Sequence, residues 1–279
     1  MKNVKLCKKL MLVLALIVLT AVAYAQKAMN VQIVVSPGMT MGGKFEVPEN
    51  PQSSDPGWVA LKKNFSFGLD AGATFGYNFS KKLEVNLGLI YSKQGQHYKD
   101  YTWTIGNWNE TWKRKVDLNY LKLPLKVNYI INPEQKISFY VSAGFYLSFL
   151  LGYRDENSAT ASDGSSFTAI AKGDTYTQTY DSDTESAAFI NGKPYKSTDF
   201  GGIISAGLQF KLSEKIIIPV GLIYQIGFVD IKNKACQYTQ SSSNDAELFW
   251  QNSSNNSPNA TLSYHNSSLE LLIGLKIIL

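Results

Sequence analysis

Alternate residues from Phe65 run Phe65, Phe67, Leu69, Ala71, Ala73, Phe75, Tyr77 and Phe79, and between them stand Ser66, Gly68, Asp70, Gly72, Thr74, Gly76 and Asn78. A β-strand sends successive side chains to opposite faces, so this period of two reads as a strand between oil and a polar space. The pattern recurs. A first strand alternates Val31, Ile33, Val35, Met39 and Met41 against Gln32, Ser36, Gly38 and Thr40. The run above is the second. Further strands carry Leu83 to Tyr91, Leu121 to Tyr129, Ile137 to Phe149, Ile204 to Phe210, Ile216 to Phe228, and Leu269 to Leu279 on one face.

One alternating strand is a weak signal, because soluble sandwiches alternate too. Length and order sharpen it. The strands run to about ten residues or more, which a tilted strand needs to cross a bilayer. Connections alternate in length. Ser80-Lys81-Lys82, Asn132 to Gln135, and Ser213-Glu214-Lys215 are short, while residues 42–63, 93–117, 152–199 and 232–267 are long. Short turns at one end and long loops at the other is the arrangement of transmembrane barrels. An open sheet edge in hydrocarbon leaves backbone groups unpaired at several kcal/mol each, so the eighth strand is expected to pair with the first. The expected fold is all-β: an eight-stranded antiparallel up-and-down transmembrane β-barrel, with short turns and termini periplasmic and long loops extracellular. Pro124 and Pro219 cannot donate to a ladder, and bulges or irregularities are expected there.

Residues 1–25 have the parts of a secretory signal peptide: Lys2, Lys5, Lys8 and Lys9, an apolar stretch Leu10 to Val22, and Ala23-Tyr24-Ala25 as cleavage site. The barrel domain is then 26–279. Removing four lysines takes the formal net charge from +5 to +1, so the basic balance gives no support for nucleic-acid binding. Cys236 is the only cysteine left, which excludes an internal disulfide.

Gly38, Gly68, Gly72, Gly76, Gly88, Gly144, Gly207, Gly221 and Gly274 all fall on the inward face and leave room for charge. Asp70, Glu84, Lys122, Lys126, Lys211, Glu270 and Lys276 share that face, and a paired network plugging the narrow lumen is expected, with a small ion path as the alternative. Tyr77, Phe79, Tyr129 and Phe139 are expected to ring one membrane interface, and Phe65, Phe67, Tyr91, Phe149, Tyr224 and Phe228 the other.

The order of motifs resembles the PorT-like outer-membrane β-barrel proteins of Bacteroidetes-type bacteria. Leu87-Gly88-Leu89-Ile90-Tyr91-Ser92-Lys93-Gln94-Gly95 is similar to that family's strand ending in Tyr-Ser-x-x-Gly, Tyr120-Leu121-Lys122-Leu123-Pro124-Leu125 to its Tyr-Leu-x-x-Pro opening, and Asp199-Phe200-Gly201 leads into a Gly-rich strand. The resemblance covers nearly the whole mature chain and implies an eight-stranded outer-membrane barrel, some members of which assist a secretion machine. Such barrels usually end in Phe or Tyr, where this chain has Leu279.

Little points to catalysis. His97 and His265 are the only histidines, and His265 with Ser267 or Ser268 and Glu270 is the one arrangement a lipid-cleaving triad could use. No metal-ligand spacing and no phosphate-cradling loop occurs, so no cofactor is expected. Binding is expected in the loops. The second holds Tyr98, Tyr101, Trp103, Trp108 and Trp112 around Gly106-Asn107, a hairpin whose aromatics either stack on a sugar or protein partner or pack on one another. The third is rich in Ser, Thr and Asp, with Asn191-Gly192 as a candidate type I′ turn. The partners expected are outer-membrane lipid and another envelope or secretion protein. A purely structural barrel is the alternative.

Overall fold

The computed structural model describes residues 29–48, 58–105, 107–190, 192–233, 237–238 and 262–279. The signal segment, Asn191 and Cys236 lie outside them. Fifteen strands occur among the described residues: β1 (Met29–Met41), β2 (Glu46–Pro48), β3 (Trp58–Ala60), β4 (Ser66–Asn78), β5 (Leu83–His97), β6 (Tyr101–Ile105), β7 (Trp108–Ile131), β8 (Ile137–Ala161), β9 (Ser166–Lys172), β10 (Thr175–Tyr180), β11 (Asp183–Ile190), β12 (Thr198–Lys211), β13 (Ile216–Gly227), β14 (Gln237–Tyr238) and β15 (Ser267–Ile278).

Eight of them close a ring in the order β1-β4-β5-β7-β8-β12-β13-β15, antiparallel throughout, and β15 pairs with β1 from Ile278–Asn30 to Ser267–Met41. These are the eight strands that the alternation marks. Their apolar residues face outward: Ile33, Phe67, Phe75, Leu87, Phe139, Phe145, Ile204 and Leu222 are all more than half exposed, and Tyr91 and Tyr129 nearly so. Apolar side chains on the outside and polar ones within invert the ordinary globular pattern, and hydrocarbon is the solvent that makes this stable. Phe79, Phe139 and Tyr129 stand outward at the short-turn end, and Phe65, Phe67, Tyr91 and Phe228 at the other. Leu87 lies midway between these belts. Leu87→Arg is expected to cost about 2–4 kcal/mol in urea-driven folding into lipid vesicles, and Leu83→Arg, at the interface, about 0–1. Equal costs at the two positions would contradict this placement of the bilayer.

Pro124 and Pro219 produce no bulge. Each interrupts the ladder on one side while the register continues: the β5–β7 pairing skips from Leu87–Leu125 to Ile90–Lys122, and the β13–β15 pairing from Ile217–Lys276 to Val220–Ile273. A glycine faces each proline across the gap. A Cβ on Gly88 would lie 2.8 Å from Pro124 Cγ, and one on Gly274 3.0 Å from Pro219 Cγ, so the proline ring takes the space of the missing side chain. The one register shift between β7 and β8 falls at Asn119/Tyr120, where Tyr120 faces Leu150 and Asn119 faces Gly152. Leu151 is the extra residue, and it flips the parity of β8. Even-numbered residues face inward below it, and Tyr153, Asp155, Asn157 and Ala159 face inward above it.

Above that bulge β7 and β8 continue together as far as Glu110–Ala161, and β8 goes on to pair β9, then β10, β11 and β14 follow in the same sheet. At about 3.3 Å per residue, the 25 residues of β8 reach about 80 Å, against about 30 Å of hydrocarbon. The third long connection is therefore not a loop but a sheet raised on the barrel wall. No hairpin forms between Ala187–Ile190 and Lys193–Tyr195. Residues 187 and 188 pair with Tyr176 and Thr175 instead, and the tight turns lie at Gly173 (φ +61°) and Asp181 (φ +48°). The second long connection is the expected hairpin, with Tyr101–Ile105 against Trp108–Trp112. β2 and β3 form a small ribbon in the first.

Candidate functional site

Inside the barrel each ring strand contributes one residue to an apolar layer: Val34, Gly72, Ile90, Pro124, Tyr146, Ile203, Ile223 and Leu272. Six of these form one buried cluster. The layer is not level in register. Ile90 faces Lys122 rather than Pro124, Tyr146 faces Gly201 rather than Ile203, Ile203 faces Gln225 rather than Ile223, Ile223 faces Glu270 rather than Leu272, and Val34 faces Gly274. Five steps of two residues, all toward the short-turn end, give the stagger that lets tilted strands close.

Polar groups lie on both sides of this layer. On the long-loop side Lys122 Nζ lies 3.2 Å from Asp70 Oδ2 and donates to Gln225 Oε1 at 2.8 Å. Gln225 Nε2 donates to Asp70 Oδ2 (3.0 Å) and Glu270 Oε1 (2.9 Å), and Ser268 Oγ donates to Glu270 (2.6 Å). On the short-turn side Lys276 Nζ meets Glu84 Oε2 at 2.6 Å, and Asn30 Nδ2 donates to Glu84 Oε1 at 2.9 Å. The structure thus brings Asp70, Lys122 and Glu270 together and, separately, Glu84 and Lys276. Lys126 lies in the field of Glu84 and Glu270, and Lys211 bonds the Pro133 carbonyl at the mouth. A space of about 30 Å³ runs beside the apolar layer, lined by Asp70, Lys122 and Gln225 on its long-loop side and by Thr74 and Lys126 on its short-turn side. Gln225, Ser268 and Asn30 complete these clusters and were missed in the sequence, since an uncharged polar residue on an inward face carries no signal of its own.

The raised sheet has a core of its own. Trp112, Val116, Leu118, Tyr120, Tyr153, Ala159, Phe167, Ala169, Ala171 and Tyr176 on its inner face pack against Tyr195, Ile231 and Tyr264. An ion pair lies within it. Arg114 Nη2 is 2.9 Å from Asp155 Oδ2, with side chains 4% and 0% exposed. Tyr195 donates its hydroxyl to the same oxygen at 2.6 Å, and the Phe45 ring centre lies 3.6 Å from Arg114 Cζ. Tyr264 stands edge-on to Tyr195 at 5.9 Å. Burial, and then the Asp155 carboxylate, hold the Tyr195 phenol well above its ordinary range, so it stays protonated and donates. Phe45, Arg114, Asp155 with Tyr195, and Tyr264 come from the first, second, third and fourth long connections, so one buried pair ties all four together.

The loop aromatics named in the sequence divide. Tyr98 is buried with Phe45 and Leu61 and donates to the Gly43 carbonyl (2.9 Å). Trp112 is buried in the raised core, and Tyr101 and Trp108 pack against it. These four rings are spent on internal packing rather than on an open stacking face. Trp103 lies in β6 opposite Glu110. His265, two residues before β15, is exposed, whereas Ser268 and Glu270 face inward, so the three are not brought together. His97 lies 3.6 Å from Asp117 at the rim. No group of three or more His, Cys, Asp or Glu suited to a metal ion occurs among the described residues.

An eight-stranded ring with an apolar exterior, polar filling and a raised sheet at one end defines an integral outer-membrane β-barrel. Residues 24–233 match the family model described as outer membrane protein beta-barrel domain, and the chain belongs to that family. Among solved structures it is similar to Neisserial surface protein A (12% identity, 90% of this chain and 97% of that one, TM-score 0.39). It is also similar to the outer membrane protein OprG from Pseudomonas aeruginosa (10%, 91% and 98%, 0.38) and the outer membrane protease OmpT from Escherichia coli (9%, 90% and 97%, 0.38). No curated protein matches the sequence.

Proposed function

We propose that this chain is a non-enzymatic outer-membrane barrel of PorT-like type that acts as a binding or assembly module, its raised sheet outside the cell and its short turns in the periplasm. The observation that carries this reading is the raised sheet itself. Its inner face is filled by its own core, and its outer face is left to solvent. That outer face is rich in hydroxyls: Ser158, Thr168, Thr179 and Thr184 stand in one cross-strand row, and Thr177 and Ser186 share the next with Ile170 and Glu156. Pre-ordered sheet loses little conformational entropy on binding, which favours recognition of a folded envelope or secretion protein over capture of a flexible one. The apolar layer in the lumen argues against transport as the task, with a structural barrel as the remaining alternative.

An affinity tag in the exposed Asp163-Gly164 turn tests this in a mild-detergent pull-down. A stoichiometric envelope protein is expected, and Thr177→Arg, at the centre of the outer face, is expected to release it without disturbing the barrel. A clean monomer from both proteins would count against a binding role. Thr177→Cys in a Cys236→Ser background is expected to react with a membrane-impermeant maleimide on intact cells; protection there would reverse the orientation.

A further inference from the structure

We propose that the short-turn mouth of the barrel binds a small oxyanion, a phosphate or a carboxylate. This end is strongly basic. Lys81, Lys82, Lys126, Lys136, Lys211, Lys215 and Lys276 stand against Glu84, Glu134 and Glu214, seven basic side chains to three acidic ones among the described residues. The excess is partly internal: of the inward groups below the apolar layer, three are ammoniums and only Glu84 is a carboxylate. A vestibule of about 380 Å³ opens here, with Ser138, Gln209, Lys211, Ile217 and Lys276 in its wall.

Register places these groups side by side. Lys211 pairs Ile217 and Ile217 pairs Lys276, so the two ammonium stems flank one apolar residue on a single cross-strand row. Ser138 faces Gln209 on the neighbouring strands. Lys276 is committed to Glu84, whereas the Lys211 ammonium bonds the neutral Pro133 carbonyl and has no carboxylate in contact among the described residues. Ser138 is 1% exposed, and its Oγ has no hydrogen-bond partner among the described residues. A buried hydroxyl left unsatisfied is costly, and an oxyanion accepting from it and from Lys211 supplies what both lack. Two carboxylates line the same vestibule: Glu134, 2.7 Å from Lys81 and within the field of Lys211, and Glu214, in the turn that joins the strands of Lys211 and Ile217.

Phosphate in this pocket could be a free solute or a lipid headgroup reaching over the rim, and the lumen-facing position of Ser138 and Lys211 favours the solute. The test titrates inorganic phosphate into the full-length mature protein in an uncharged detergent at constant chloride, followed by calorimetry. Saturable binding is expected, weakened about tenfold by Lys211→Gln and several-fold by Ser138→Ala, and unchanged by Lys82→Gln on the outer turn. Absence of saturation, or equal loss in all three variants, would overturn the proposal. Repetition in nanodiscs separates the two sources. Equal affinity in phosphatidylcholine and phosphatidylglycerol supports a soluble ligand, whereas loss in phosphatidylglycerol reversed by Lys82→Gln assigns the site to a headgroup and refutes the solute.

Discussion

Asp155→Asn is expected to release the raised sheet while leaving the barrel folded. The substitution strands the Arg114 guanidinium, 4% exposed, without the carboxylate 2.9 Å away, and Tyr195 loses its charged acceptor. Breaking a buried ion pair from one side costs about 3–5 kcal/mol, because the surviving charge stays desolvated. That is a large share of what a small sheet above the membrane can supply from its own core. The effect spreads because Phe45, Tyr195 and Tyr264 meet at the same point from three connections. Limited trypsin digestion is the readout. New cleavage at Arg154 and Lys172 is expected, with the ring strands protected and the folded gel mobility retained. Arg114→Met combined with Asp155→Leu is expected to restore resistance, since an apolar pair of similar volume avoids the desolvation cost. A digestion pattern identical to the parent would show that the pair is dispensable.

Glu84→Leu is expected to act on the barrel itself. Lys276 Nζ rests 2.6 Å from Glu84, and both side chains are at most 2% exposed. Asn30 loses its acceptor at the same time. The cost is again about 3–5 kcal/mol, seen here as a lower urea midpoint for the whole barrel rather than for one end. Glu84→Leu with Lys276→Met is expected to recover most of the loss. A double variant no more stable than the single one would mean that the cost came from packing around the introduced side chain and not from the unpaired lysine.

The contrast between these two ion pairs shows what could be read in the sequence. Glu84 and Lys276 lie on strands whose outward residues are Val, Leu and Ile, so an apolar period of two announces the strand and parity assigns the charge to the lumen. Arg114 and Asp155 lie on equally regular strands, but above the bilayer. There the inward set is Trp112, Val116, Tyr153, Ala159 and the alternating Phe167, Ala169 and Ala171, and the outward set is mainly Thr, Ser and charged residues such as Lys113, Arg154 and Glu156. Without lipid the hydrophobic contrast is weak, and a Ser/Thr-rich stretch reads as loop. The Leu151 bulge hides β8 further by changing its parity midway. Asn191-Gly192 is a misleading signal, because the turn chemistry is sound but Ala187–Ile190 already has partners in β10 and β14. Proline was legible as a disturbance, though not as one absorbed by a facing glycine.

On the function proposed above, the barrel is a support and its work is done on the raised sheet. Planar-bilayer recording of the purified mature protein tests this most directly. The ring of Val34, Ile90, Tyr146, Ile203, Ile223 and Leu272 forms an apolar constriction with only about 30 Å³ of space beside it, so no reproducible unit conductance is expected across the voltage range the bilayer tolerates. Unit steps of constant size from the unmodified protein would contradict the account and make the lumen, with its charges segregated above and below the apolar layer, the functional part of the molecule.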